Sequence, residues 1–132
     1  MEMKIVFPGG SKVDAEFKGF TIRTDQPVAA GGEGAEPSPF DLFLGSIGTC
    51  AGFYVLSFCR KRGIATDGIG LALRFEKNQE TGLIEKVGID IKLPPEFPEQ
   101  YREAVIRAAG ACAVKKHLDH PPEFIIRTVY IG

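Results

Sequence analysis

The segment from Ser38 to Gly63 constrains this chain more than any other part of it. Serine at the N-cap, Pro39 at the first helical position and an acid at Asp41 spell a helix start. From there to Arg62 the residues follow a helical pattern that is apolar on most sides. Arg60-Lys61-Arg62 suit the negative end of the helix dipole, and Gly63 supplies a stop. A helix this apolar has to be covered on more than one face. It is therefore expected at the centre of the molecule or at an interface between subunits.

The remaining residues arrange themselves around that helix. At 132 residues the chain fits a single domain, 1–132, with room for a core that needs no disulfide staples. Residues 3–7, 13–17 and 20–24 read as three strands of an antiparallel meander, with Val13, Ala15 and Phe17 on the face to be buried. Residues 26–36 are glycine-rich and irregular, without the spacing of a phosphate-binding loop. Residues 71–75 and 84–93 read as two further strands joined by the polar turn 78–82. A helix starts near Pro98, weakens at Gly110, and a second short one restarts beside Cys112. Pro121-Pro122 ends it, and residues 124–131 are expected to close the chain as a strand. Strands, helix, strands, helices and strand describe an α+β fold.

Composition removes several function classes. A net charge of −1, with 44% hydrophobic and 25% charged residues, is ordinary for a globular protein and offers no basic stripe for nucleic acid. No stretch reaches about 18 uninterrupted apolar residues, so no membrane partner is expected. Residues 1–8 lack the basic start and apolar run of a secretory signal, and a cytoplasmic, reducing location is the expectation. No Cys-x-x-Cys occurs, and His117 with His120 are too few for a zinc site. Those histidines are read as surface or helix-end residues, with no metal expected.

Two of the three cysteines lie in runs of small residues: Cys50 in Gly45-Ser46-Ile47-Gly48-Thr49-Cys50-Ala51-Gly52, and Cys112 in Ala108-Ala109-Gly110-Ala111-Cys112-Ala113. Small side chains let backbones approach, so each run marks a place where one element presses on another, and thiols at two such places could face each other. Cys50 and Cys59 fall on opposite faces of one helix at roughly 100° per residue. Cys59, between Phe58 and Arg60, reads as a small buried apolar residue. Cys50 lies three turns inside its helix, beyond the reach of the dipole, and needs a cationic or hydrogen-bonding partner from elsewhere to act as a thiolate. Cys112 is better placed if a helix begins beside it. On composition alone both stay open between reactive thiols and buried structural ones. Aromatic residues along the helix, Phe40, Phe43 and Tyr54 among them, are numerous enough to line an apolar pocket. Such a pocket would favour a bulky apolar ligand over a small polar one.

The run Pro37-Ser38-Pro39-Phe40-Asp41-Leu42-Phe43-Leu44-Gly45-Ser46-Ile47-Gly48-Thr49-Cys50 resembles the first cysteine motif of the OsmC/Ohr family (osmotically inducible protein C and organic hydroperoxide resistance proteins). Ala111-Cys112-Ala113-Val114-Lys115-Lys116-His117-Leu118 is similar to the second. The details look most like the broad OsmC-like branch. The resemblance implies an intertwined homodimer with antiparallel sheets, central cysteine-bearing helices and active sites at the subunit interface. It implies a peroxidase in which Cys50 attacks the peroxide and Cys112 resolves the sulfenate as a disulfide. An external dithiol, lipoyl or thioredoxin-like, then reduces that disulfide without metal or organic cofactor. Where the hydroperoxide-resistance subgroup has a glutamate, this chain has Phe40, with an acid only at Asp41, which the capping pattern also claims. Where that subgroup has an arginine after a Gly-Gly pair, Lys12 follows Gly9-Gly10 as a substitute lacking the bidentate fork, and Arg23 has no assigned part. The alternative is a non-catalytic or weakly active dimer that binds an apolar small molecule between its subunits.

Overall fold

A computed structural model describes residues 1–132. The chain falls into two compact units, Met1–Ser46 and Ile47–Gly132.

In the first unit, β1 (Lys4–Gly9), β2 (Lys12–Phe17) and β3 (Phe20–Thr24) form an antiparallel sheet in the order β1-β2-β3. The register aligns Ile5 with Ala15 and Ala15 with Ile22, and pairs Phe17 with Phe20. Directly opposed residues share a face, so this sheet has one apolar side and one side carrying Lys4, Asp14, Glu16 and Arg23. The pattern matches the meander read from the sequence, but its apolar side is only partly covered. Val13, Ala15 and Phe17 are half-buried, whereas Phe7 and Phe20 are largely exposed.

Residues 25–37 follow as an irregular loop that is closely held. Asp25 is fully buried, and its carboxylate accepts N–H bonds from Gln26 at 2.8 Å, Glu33 at 3.2 Å and Ala35 at 3.1 Å. A Cβ on Gly32 would overlap the carbonyl oxygen of Gln26, so only glycine fits there. The hydroxyl of Ser11 donates to the Gly31 carbonyl at 3.0 Å, and Lys12 pairs with Glu33 at 3.0 Å. Glycine in such a stretch permits close backbone approach or motion; at Gly32 it serves close approach, in a turn that one carboxylate organises.

Helix α1 (Pro39–Lys61) begins as its sequence dictates, with the Asp41 N–H donating to the Ser38 hydroxyl at 3.2 Å. Within the second unit it buries Ile47, Ala51, Val55, Phe58 and Cys59, a single stripe at helical spacing. Cover on more than one face is thus not supplied by the chain itself, and Phe53 stays 58% exposed. By length and composition α1 could also cross a membrane, which the test for an uninterrupted run misses because glycines, serines and a threonine punctuate it. Its buried stripe packs in a protein core.

That core joins α1 to Phe97, Val105 and Ala109, with Leu71, Ile89, Ile91, Leu93 and Tyr101 around it. Strands β4 (Gly70–Lys77) and β5 (Ile84–Lys92) pair antiparallel, placing Leu71 opposite Ile91, Leu73 opposite Ile89 and Phe75 opposite Val87. Their turn is built on Asn78, whose side-chain oxygen accepts the N–H groups of Glu80 and Thr81. The helix foreseen near Pro98 starts as a 3-10 turn, Glu99–Tyr101, and continues as α2 (Arg102–Gly110); α3 (Ala113–Asp119) follows. Arg62, just past α1, lies 3.7 Å from the centre of the Phe58 ring and donates to the Phe58 carbonyl, while Phe58 meets Tyr101 edge to face. This stack ties the end of α1 to the start of α2.

One expected element is missing. Residues 124–131 form no strand, and their apolar side chains are exposed. Their β-prone composition does not make a strand, because they pair with none of the five strands of the chain.

Candidate active site

Cys112 is the N-cap of α3. Its backbone is extended (φ −65°, ψ 146°), and its sulfur accepts the N–H of Lys115 at 3.3 Å. Thiol sulfur thus takes the place usually held by a serine or aspartate oxygen, satisfying a donor that the helix itself cannot. The residue is 2% exposed and lines a cavity of about 600 Å³. Val87, Ile89 and Ile91, alternate residues of β5, form one wall, and Val105, Ile106 and Ala109 of α2 form another. Charged groups, including Asp90, Arg102, Glu103 and Lys115, stand around it. Arg102 is engaged by Glu99 and Lys115 by Asp119.

Cys50 is half-buried on α1, in the same unit as Cys112, and its sulfur makes no hydrogen bond within the chain. Ile47, one turn before it, is buried and lines the cavity that Cys112 lines. Both thiols are free. The small residues around Cys50 behave unequally. A Cβ on Gly48 would come within 3.2 Å of the Leu73 side chain, so here α1 does press on β4. Gly45, Gly52 and, in the second run, Gly110 have nothing near enough for such a role. Cys59 is fully buried in the core, as its neighbours suggest, and burial pushes its thiol pKa up, although the Arg62 charge opposes that.

The remaining candidates belong to other groupings. Lys12 and Asp41 lie in the first unit. Lys12 is held by Glu33, and that hydrogen bond raises its pKa further above 10.5. Asp41 sits in the first turn of α1, where its N–H is capped by Ser38. Phe40 and Phe43 form a tilted ring pair 5.6 Å apart, and both are exposed. Tyr54 instead pairs edge-on with Phe53, at 6.0 Å. None of these three aromatics lines the cavity at Cys112. His117 is exposed, and its Nδ1 donates to the Ala113 carbonyl at 2.7 Å, a helix-surface position of the kind expected. Of the residues that line the cavity, the sequence pointed only to Cys112, and it did not point to Glu33 as the partner of Lys12. The alternation Val87, Ile89, Ile91, Leu93 was the available signal for the wall.

Comparison with known proteins places these features. The model of a family described as OsmC-like protein matches residues 31–127, both cysteine motifs included. No curated protein sequence matches the chain. Among solved structures, one from Psychrobacter arcticus 273-4, described as an osmotic stress induced and detoxification response protein, is 23% identical. It aligns over 86% of this chain and 85% of its own, with a TM-score of 0.72. A hypothetical protein from Aquifex aeolicus VF5 is 18% identical over 91% of this chain and 87% of its own, with a TM-score of 0.63. A Legionella pneumophila protein described as an organic hydroperoxide resistance protein OsmC is 17% identical over 89% of each chain, with a TM-score of 0.55. At such identities the likeness is one of fold.

Proposed function

We propose the following reading for this chain, which belongs to the OsmC-like protein family: it is a homodimeric, thiol-dependent peroxidase that reduces organic hydroperoxides in defence against oxidative stress. The observation that carries it is the free thiol of Cys112, fastened by an amide N–H beside an apolar cavity whose wall includes Ile47, one turn from Cys50. The description of the Legionella protein points to the same chemistry.

In this reading the Cys50 thiolate attacks the terminal oxygen of the hydroperoxide. The O–O bond breaks, and the alkoxide leaves as an alcohol after taking a proton. Cys50 becomes a sulfenic acid. The Cys112 thiolate then attacks the Cys50 sulfur, an S–S bond forms, and hydroxide leaves as water with a proton. Two thiols and one hydroperoxide have become a disulfide, an alcohol and a water. An external dithiol of the lipoyl or thioredoxin type restores both thiols by exchange. The Lys115 N–H offers a bond to charge that develops on the Cys112 sulfur. Pairing of two copies is supported by the only partly covered apolar side of β1-β2-β3 and by the exposed Phe53 on α1. A partner could also provide the polar contact that Cys50 does not find in its own chain.

The test is to treat the reduced protein with one equivalent of cumene hydroperoxide and to follow thiols and intact mass. Rapid loss of two thiols with a Cys50–Cys112 disulfide supports the reading. Slow loss, or loss at Cys59, overturns it. A second reading has an observation of its own. Lys12, the one cation set beside the family's arginine, is already bound to Glu33, which favours a dimer that holds an apolar small molecule without turning it over.

A further inference from the structure

The cavity beside Cys112 has apolar walls and a charged rim, and the two select in different ways. Ile89, Val105 and Ala109 stand in the walls, while Ile106 and Leu118, 55% and 49% exposed, leave one side open to solvent. A space of about 600 Å³ lined in this way lies within the range of small-molecule sites. Burial of a hydrocarbon body there supplies affinity whatever else the molecule carries. Discrimination between ligands of equal bulk has to come from the rim.

The charged groups of the rim are Asp90, Arg102, Glu103 and Lys115, and all but one are engaged within the chain. Arg102 binds Glu99 at 2.9 Å, Lys115 binds Asp119 at 3.2 Å, and Asp90 binds Arg74 at 2.9 Å. The Glu103 carboxylate forms no ion pair, and Arg102 beside it in the chain reaches to Glu99 instead. An anionic head entering the cavity would have to displace Glu99 or Asp119 from its cation. A cationic head meets a carboxylate that nothing else claims.

We infer that this cavity takes an apolar molecule with a cationic head, an ammonium group on a hydrocarbon body, in preference to a carboxylate on the same body. This preference rests on the cavity being where substrate reaches the thiols, as proposed above, and it narrows the substrate class. Among hydroperoxides of equal bulk, one that carries an amine is favoured over one that carries a carboxylate. Because Glu103 is exposed, the preference is modest, about fivefold at low salt, and it fades as added salt screens the rim.

The experiment titrates the reduced protein, without peroxide and at neutral pH, with phenylbutylamine, phenylbutanol and phenylbutyrate, which share one apolar body. The methyl resonances of Ile89, Ile106 and Leu118 report binding in the cavity. All three probes should shift them, with the amine about fivefold tighter than the carboxylate. Glu103→Gln should bring the two charged probes to within about twofold of each other, and Glu103→Lys should reverse their order. A carboxylate that binds as tightly as the amine overturns the inference, as does a preference that survives Glu103→Gln. Methyls that none of the probes moves overturn it too. The peroxidase reading is tested separately, by thiol loss to cumene hydroperoxide. A protein that prefers the amine yet spares its thiols keeps this inference and is the binder of the second reading.

Discussion

The backbone N–H of Lys115 is directed at the sulfur of Cys112 across 3.3 Å. The residue proposed to resolve the sulfenate therefore also caps a helix, and substitution can separate the two duties. Serine is a better cap than cysteine, so Cys112→Ser should keep α3 and leave stability within about 0.5 kcal/mol of the parent. Cys112→Ala should cost about 1 kcal/mol, read by urea unfolding. With peroxide, Cys112→Ser should lose a single thiol and accumulate a Cys50 sulfenate that dimedone traps. Turnover at the parent rate would remove Cys112 from the cycle.

Cys59 should be the slowest of the three thiols to alkylate in the folded protein. It has no exposed surface, and burial holds its pKa above the usual 9.0. Iodoacetamide labelling followed by peptide mass mapping should show Cys59 modified only as urea unfolds the core, with the rate rising towards alkaline pH as the thiolate appears.

Gly48 is the one glycine of α1 pressed against a neighbour, Leu73 on β4. Gly48→Leu should overpack that contact and cost about 1–3 kcal/mol, against any gain in helix propensity. Gly52→Ala meets nothing within 4 Å and should be neutral or slightly stabilising. Thermal unfolding of the two variants side by side distinguishes crowding from propensity.

Asp25 makes the first unit sensitive to acid. N–H donors from Gln26 and Ala35, then Glu33, with Lys12 assisting, hold its carboxyl below the ordinary 3.8 despite burial. A group whose folded pKa is depressed contributes stability in full above its unfolded value. It loses that contribution as the pH falls through the folded one. Asp25→Asn must turn an NH2 group towards at least one of the three donors, so it should melt earlier at neutral pH. The gap from the parent should shrink as both are taken into the acid limb below about pH 4. A gap that stays constant with pH would show that the charge on Asp25 is not what holds the loop.

Much of this architecture was legible because it is written in local chemistry. Ser38 and Pro39 set the start of α1, apolar runs bounded by turn residues, with period-two alternation in β2, set the five strands, and Gly110 with Cys112 set the break between α2 and α3. Cys59 could be placed by its neighbours alone. Three things resisted. Residues 124–131 have strand composition, but a strand needs a neighbour, and composition does not say whether the chain provides one. The glycine-rich stretch after Asp25 read only as irregular, because a single buried carboxylate collecting three N–H bonds leaves no periodic trace. Lys12 looked like an available cation because its partner, Glu33, lies 21 residues away and is brought close only by the folded loop.

The use of sulfur as a helix cap has a consequence for the oxidised protein. A helix of seven residues is far shorter than one that persists unaided in water, so α3 depends on its first turn being fastened. Once that sulfur is drawn into a covalent bridge, its position answers to the bridge and the Lys115 amide is released. Oxidation would then register as fraying at residues 113–116, so the electron balance of the thiols would be reported by faster deuterium uptake there.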